Sequence, residues 1–181
     1  MKKLGSMLVL GLSLVGTSAL AADKADKATV KVNLIDQGGV VKQIGTVNLA
    51  DGKTGLVMTV KLKGLPAGEH GFHVHEKGSC DPGEKDGERK AGLGAGGHFD
   101  PDATKAHKGP GGGGHKGDLP KLEVNEKGMA NAKLEVAGVK VADLRGKALM
   151  IHASGDNYAD APKPLGGGGD RIACGLIPEA K

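Results

Sequence analysis

The chain alternates apolar and polar residues with period two in segment after segment, and no stretch keeps a helical apolar repeat over three turns. "TVKVNLID" sets Val30, Val32 and Leu34 against Lys31 and Asn33; "VMTVKLKG" sets Met58, Val60 and Leu62 against Thr59, Lys61 and Lys63. "NAKLEV" does the same with Ala132, Leu134 and Val136 against Asn131, Lys133 and Glu135. Strand side chains alternate faces, so each segment offers one face to a core and the other to water. Further strand candidates span 39–50, 70–76, 121–125, 147–153 and 171–177, with turn signals such as "DQGG", "ADGKTG" and "NEKG" between many of them. The pattern predicts an all-β domain, an eight-stranded Greek-key barrel or sandwich.

Two stretches break the alternation. Residues 77–120 are rich in Gly, Asp, Pro and Lys, and 154–170 ends in "PLGGGGD". Loops of this length inside a compact domain are uncommon unless they carry function or are disordered. The first holds three histidines and a cysteine, which favours a loop that is tied down. Both are therefore expected to be functional loops.

The first residues are a targeting segment. Lys2 and Lys3 precede an apolar run, Leu4 to Val15, too short to span a bilayer, and Ala19-Leu20-Ala21 is a small-x-small cleavage site. The expectation is a signal peptide over 1–21 and a single mature domain over 22–181, exported to the periplasm without a membrane anchor. Removing two lysines lowers the formal charge from +4 to about +2. That is mildly basic, with no block of like charge and no set of stacking aromatics, so nucleic-acid binding has little support. In an oxidising compartment the two cysteines, Cys80 and Cys174, most simply form one disulfide.

All seven histidines lie between 70 and 152. A single histidine is more often a satisfied core or surface residue than a ligand; the grouping changes that. In "GFHVHE", His73 and His75 share one strand face while Phe72 and Val74 take the other. In "LMIHA", His152 opposes Leu149 and Ile151. Three imidazoles are thus expected on the outer wall of a sheet, beneath the long loops. The loop "GGHFDPDATKAHKGPGGGGHKGDLP" adds His98, His107, His115 and Asp118. Three imidazoles and one carboxylate suit tetrahedral zinc, and an imidazole-only set suits copper, which cycles between two oxidation states.

"GEHGFHVHEKGSC", "GGHFDP", "HKGDLP", "MIHASGDNYAD" and "PLGGGGDRIACGLI" together resemble the copper,zinc superoxide dismutases, specifically their exported bacterial branch. The resemblance runs from about residue 30 to 178. It implies an enzyme that dismutates superoxide to oxygen and hydrogen peroxide with one copper and one zinc per subunit. Position by position, it implies copper ligands His73, His75, His98 and His152, and zinc ligands His98, His107, His115 and Asp118, with the His98 ring bridging the metals. Asp156 matches a carboxylate behind His73 and His107, and His70 a structural histidine. Arg171 matches the arginine that guides the anion, and Cys80 and Cys174 match the family disulfide. Lys77, Lys85, Arg89, Lys90 and Lys163 are candidates for steering the substrate.

The chain departs from its relatives in "KGPGGGGHKG", where larger polar residues are usual; the glycines are expected to loosen His115 and weaken zinc binding. No Gly-Lys-Ser/Thr follows them, so they are not a phosphate cradle. With no Trp and only Phe72, Phe99 and Tyr158, the chain lacks common interface anchors, and it is expected to be a monomer or a homodimer. Two rival classes are a non-enzymatic metal carrier and a structural β-module whose metals only brace loops. Neither needs Arg171 or a shared His98.

Overall fold

The structure, a computed structural model, describes residues 25–180; the expected signal segment lies outside the described residues. Seven strands form one curled antiparallel sheet: β1 (Lys27–Asp36), β2 (Gly39–Asp51), β3 (Gly55–Lys63), β5 (Phe72–His75), β9 (Met129–Ala137), β10 (Ala148–His152) and β11 (Arg171–Leu176). Their order is β5-β10-β11-β1-β2-β3-β9, so a first strand lies beside the last, the crossover a Greek key requires. β4 (Gly68–His70) pairs with β8 (Leu122–Val124). Among the described residues the strands overlap the eight segments whose alternation predicts them, several running a residue or two beyond those bounds and β4 sharing only His70 with 70–76, apart from one hairpin described below.

The apolar face of each strand turns inward. Val30, Val47, Leu49, Leu56, Met58, Phe72, Val74, Leu149 and Ile151 are all buried in one cluster. Full burial of side chains this size contributes about 1.5–3 kcal/mol each. Strands β1 and β3 show the alternation directly, with Lys31 and Lys61 exposed between buried neighbours. β5 differs: all four of its residues are buried, because a loop covers its outer face.

The segment 70–76 is two strands rather than one. The chain turns at Gly71, so β4 joins β8 and β5 joins β10. His70 holds that corner from inside, its ring nitrogens 2.8 Å from His152 O and 2.9 Å from Pro66 O.

The loop after β5 is more regular than expected. Residues Gly83–Lys85 (β6) and Glu88–Lys90 (β7) form a hairpin closed by Asp86-Gly87, both at positive φ (55° and 77°). This corrects the reading of 77–120 as irregular throughout. The Asp-Gly pair is a strong hairpin signal, outweighed there by the polarity of its flanks. A disulfide between Cys80 and Cys174 (Cα–Cα 5.8 Å) pins this loop to β11. Around it, Ile35, Ala95, Ala148 and Met150 make a second, smaller apolar cluster on the outer face of the sheet.

Candidate metal centre

β5 lies at one end of the sheet, and its edge away from β10 gathers the site. Buried backbone groups on a strand edge must find partners, and here two pieces of the long loop supply them. Val74 N–H donates to Gly117 O (2.8 Å), Leu119 N–H to Phe72 O (3.2 Å), and Phe99 N–H to Val74 O (2.9 Å). These bonds set His98 opposite His75 and Asp118 opposite His73. On the other edge β10 places Met150 opposite His73, and His152, two residues on, continues the same face. A bulge at Ile151/His152 then pairs His152 with Arg171 rather than Ile172. Bulges commonly re-aim side chains beside active sites.

Two donor sets converge, each with its ligand atoms within 4.8 Å of one another. One is His73, His75, His98 and His152; the other is His73, His98, His107 and Asp118. His73 and His98 belong to both, but differ in what they have to offer. His73 spends Nε2 on Asp156 (2.7 Å), leaving Nδ1 alone for an ion. His98 has Nδ1 3.0 Å from Asp118 Oδ1 and its other nitrogen uncommitted among the imidazoles. His98 is therefore the ring able to serve two ions at once. His115 stands at the rim of the second set, its Nδ1 3.4 Å from Asp118 Oδ1, at the end of the glycine-rich turn.

The nitrogens behave as ligands awaiting cations. His73 Nδ1, His107 Nδ1 and His115 Nδ1 are buried without a hydrogen-bond partner, an expensive state unless an ion occupies the space between them. The remaining nitrogens are committed by outer contacts. His75 Nδ1 donates to Gly96 O (3.0 Å) and His152 Nδ1 to Gly169 O (3.2 Å), so each turns Nε2 inward. Those two Nε2 atoms lie 3.3 Å apart. His107 Nδ1 and Asp118 Oδ2 lie 3.0 Å apart outside hydrogen-bonding geometry. Tetrahedral ligation with bonds of about 2.0–2.1 Å separates donors by about 3.3 Å. The residues fit an all-imidazole ion and a mixed nitrogen/oxygen ion sharing His98.

Asp156 sits behind both sets. Its Oδ2 accepts from His73 Nε2–H (2.7 Å), and its Oδ1 accepts from His107 Nε2–H (2.8 Å) and from Tyr158 N–H (2.7 Å). One carboxylate thus fixes the tautomer of two rings, the usual office of a group behind metal ligands. Burial opposes the ionisation of Asp156, yet the bonds from His107 and His73 outweigh it and hold its carboxyl well below the ordinary range. Asp118 is held low in the same way, burial being overcome by His107 and His98. Between the two carboxylates His107 is raised to about 9, against the opposing effect of burial. Burial pushes the imidazole-only side the other way, His98 to about 4 and His152 to about 3.

His75, His98, His152 and Arg171 open onto one cavity of about 550 Å³. Arg171 is held by two backbone carbonyls of the disulfide loop, Gly92 O (2.5 Å) and Gly96 O (2.6 Å). Burial lowers its pKa from the ordinary arginine value, and an arginine remains charged at any physiological pH. Of the basic steering candidates, Lys85 and Lys90 line this cavity. Lys90 is also paired with Glu88 (2.6 Å), Arg89 is turned to Gln37 O, and Lys163 borders a different cavity beyond Asp156. Two residues that sequence reasoning passed over also shape the site. Tyr158 donates its backbone N–H to Asp156, and Asp160 Oδ2 accepts the backbone N–H of His107 (2.9 Å). Both lie in "GDNYAD", from which only the first aspartate was drawn as functional.

The fold and the site define a β-barrel protein with two adjoining donor sets that could hold metal ions and that share His73 and His98. Residues 43–177 match the family model described as copper/zinc superoxide dismutase (SODC), and the chain belongs to that family. It is 49% identical over 173 residues to the superoxide dismutase [Cu-Zn] of Escherichia coli strain K12, covering 95% of this chain and 97% of that protein. The structure of the Cu/Zn superoxide dismutase from Brucella abortus is similar (TM-score 0.82, 46% identity, 84% of this chain and 99% of that one). So is the monomeric copper, zinc superoxide dismutase from Salmonella enterica (TM-score 0.75, 50% identity, 84% and 99%).

Proposed function

We propose that the protein dismutates superoxide, converting two superoxide anions and two protons to oxygen and hydrogen peroxide. Copper would be held by His73, His75, His98 and His152, and zinc by His98, His107, His115 and Asp118. When bound, copper supplies the one-electron couple that removes an electron from one superoxide and returns it to the next. The observation that carries this reading is the shared His98 ring beside a cavity that Arg171 also lines.

The chain's own residues then have distinct tasks. Arg171 presents fixed positive charge to a small anion entering the cavity, already oriented by Gly92 O and Gly96 O, so little reorganisation is needed on binding. Lys85 and Lys90 at the same wall add attraction over a longer range, in a salt-sensitive way. His75 and His152 are kept neutral by burial, and their outward Nδ1–H bonds keep Nε2 free for ligation. His98 is the proton carrier: its Nδ1 stays against Asp118, and the residue lines the cavity where peroxide needs a proton. Asp156 keeps His73 and His107 from rotating while this happens.

We also propose export to the periplasm by the segment 1–21, with 22–181 as one mature domain. No helix among the described residues is long and apolar enough to cross a membrane. Of monomer and homodimer we favour the monomer, as the Salmonella enterica relative is titled, because large aromatic anchors are absent. The test is superoxide decay by the purified protein loaded with copper and zinc. A rate no better than free copper overturns the proposal in favour of a carrier. Arg171→Ala should lower turnover while copper content stays intact; equal turnover removes its guiding role.

A further inference from the structure

The loop between His107 and His115 reads Lys-Gly-Pro-Gly-Gly-Gly-Gly, and such a segment resists being ordered. Glycine loses more conformational freedom on fixing than any other residue. Few bonds inside the loop offset this: Gly112 N–H donates to Gly109 O (3.2 Å) and His115 N–H to Ala106 O (2.9 Å). Order must therefore come from outside.

Tyr158 is placed to supply it. A Cβ added at Gly109 (φ +70°) would fall 2.7 Å from Tyr158 Cγ and 2.8 Å from its Cδ1, so the tyrosine ring lies directly against the loop backbone. The ring is clamped at both ends. Its hydroxyl accepts Lys121 N–H (3.0 Å), and its backbone N–H donates to Asp156 Oδ1 (2.7 Å), the atom that also holds His107. Tyr158 itself sits at φ 59°, in the left-handed region. For a bulky non-glycine residue that conformation is a strained outlier. Glycine or asparagine would fit this backbone better, so the aromatic side chain is kept there at a cost to stability.

We propose that Tyr158 is a positioning residue for the mixed-ligand ion: it clamps the 108–114 loop through Gly109 and thereby sets the affinity of the His107–His115 end for zinc. This rests on the reading that the second donor set holds zinc.

The experiment measures zinc and copper dissociation constants by chelator competition for the wild type, Tyr158→Ala and Tyr158→Phe. Tyr158→Ala should weaken zinc binding by about 10–100-fold, the range for groups behind metal ligands, and copper binding by less than about threefold. Tyr158→Phe keeps the ring on Gly109 and should restore zinc binding to within about fivefold of wild type. A general loss of structure would instead lower both metals together and would not be rescued by Phe. With one tyrosine and no tryptophan in the chain, wild-type tyrosine emission reports Tyr158 directly and should change on zinc addition. Zinc affinity unchanged in Tyr158→Ala, or an equal loss of both metals, overturns the proposal. A wild-type protein that takes up no zinc overturns instead the assignment of the second donor set.

Discussion

Replacing both cysteines, as Cys80→Ala/Cys174→Ala, tests how much of the stability comes from restricting the unfolded chain. The bridge joins residues 94 apart. In the chain-entropy account, opening a loop of about that length returns entropy worth about 4.7 kcal/mol to the denatured state. For a domain of this size each kcal/mol moves Tm by about 2–4 °C, so the variant should melt about 9–19 °C lower. Cys174 is fully buried and Cys80 nearly so, and the small volume lost on going to Ala adds to the effect. The assay is calorimetry of metal-free wild type and variant, with urea titrations alongside. Because a chain without a cross-link exposes more surface when unfolded, the urea m value should rise as well. A Tm drop below about 3 °C with an unchanged m would refute the reasoning. The same variant should lose activity at unchanged copper content, since the loop it frees carries the two carbonyls that hold Arg171.

Asp156→Asn offers one acceptor where two rings need one each, so His73 or His107 must move its proton to the nitrogen aimed at the ions. One of the two metals should bind about 10–100-fold more weakly by equilibrium dialysis; retention of both at wild-type affinity would contradict the tautomer argument. The stability of the metal-free protein should peak near neutral pH. Below 6.5, the ordinary histidine value, the unfolded chain takes up protons that His98 (about 4) and His152 (about 3) refuse, so stability falls with pH. His107, raised to about 9, contributes fully below 6.5 and loses that contribution as pH climbs through 9. A melting temperature that rises steadily from pH 9 to pH 4 would rule this out.

The strands were legible because period two belongs to the local backbone. Val30, Val32, Met58 and Val60 lie inside for the reason that their spacing announces. The pairing of His73 with His75 on one face was legible in the same way. Asp86-Gly87 was equally readable, yet the hairpin it closes was missed because polar flanks disguised two short strands. Arg171 was found through resemblance alone; it is brought opposite His152 by a bulge that no local pattern marks. Tyr158 and Asp160 were passed over because their work is done through a backbone N–H, a ring face and a carboxylate on another loop's backbone.

By itself the amino-acid order determined which side chains share a face, which segments extend and which donors are at hand. Those follow from stereochemistry acting over a few residues. Only the tertiary structure decided which donors meet. His98 and Asp118 are brought to β5 by backbone hydrogen bonds on its outer edge, and Asp156, from another loop, reaches His73 and His107 together. That convergence spans residues more than eighty positions apart in sequence (His73 and Asp156 are separated by 83). Its geometry comes from strand register and loop closure, which are set by the packing of the whole chain.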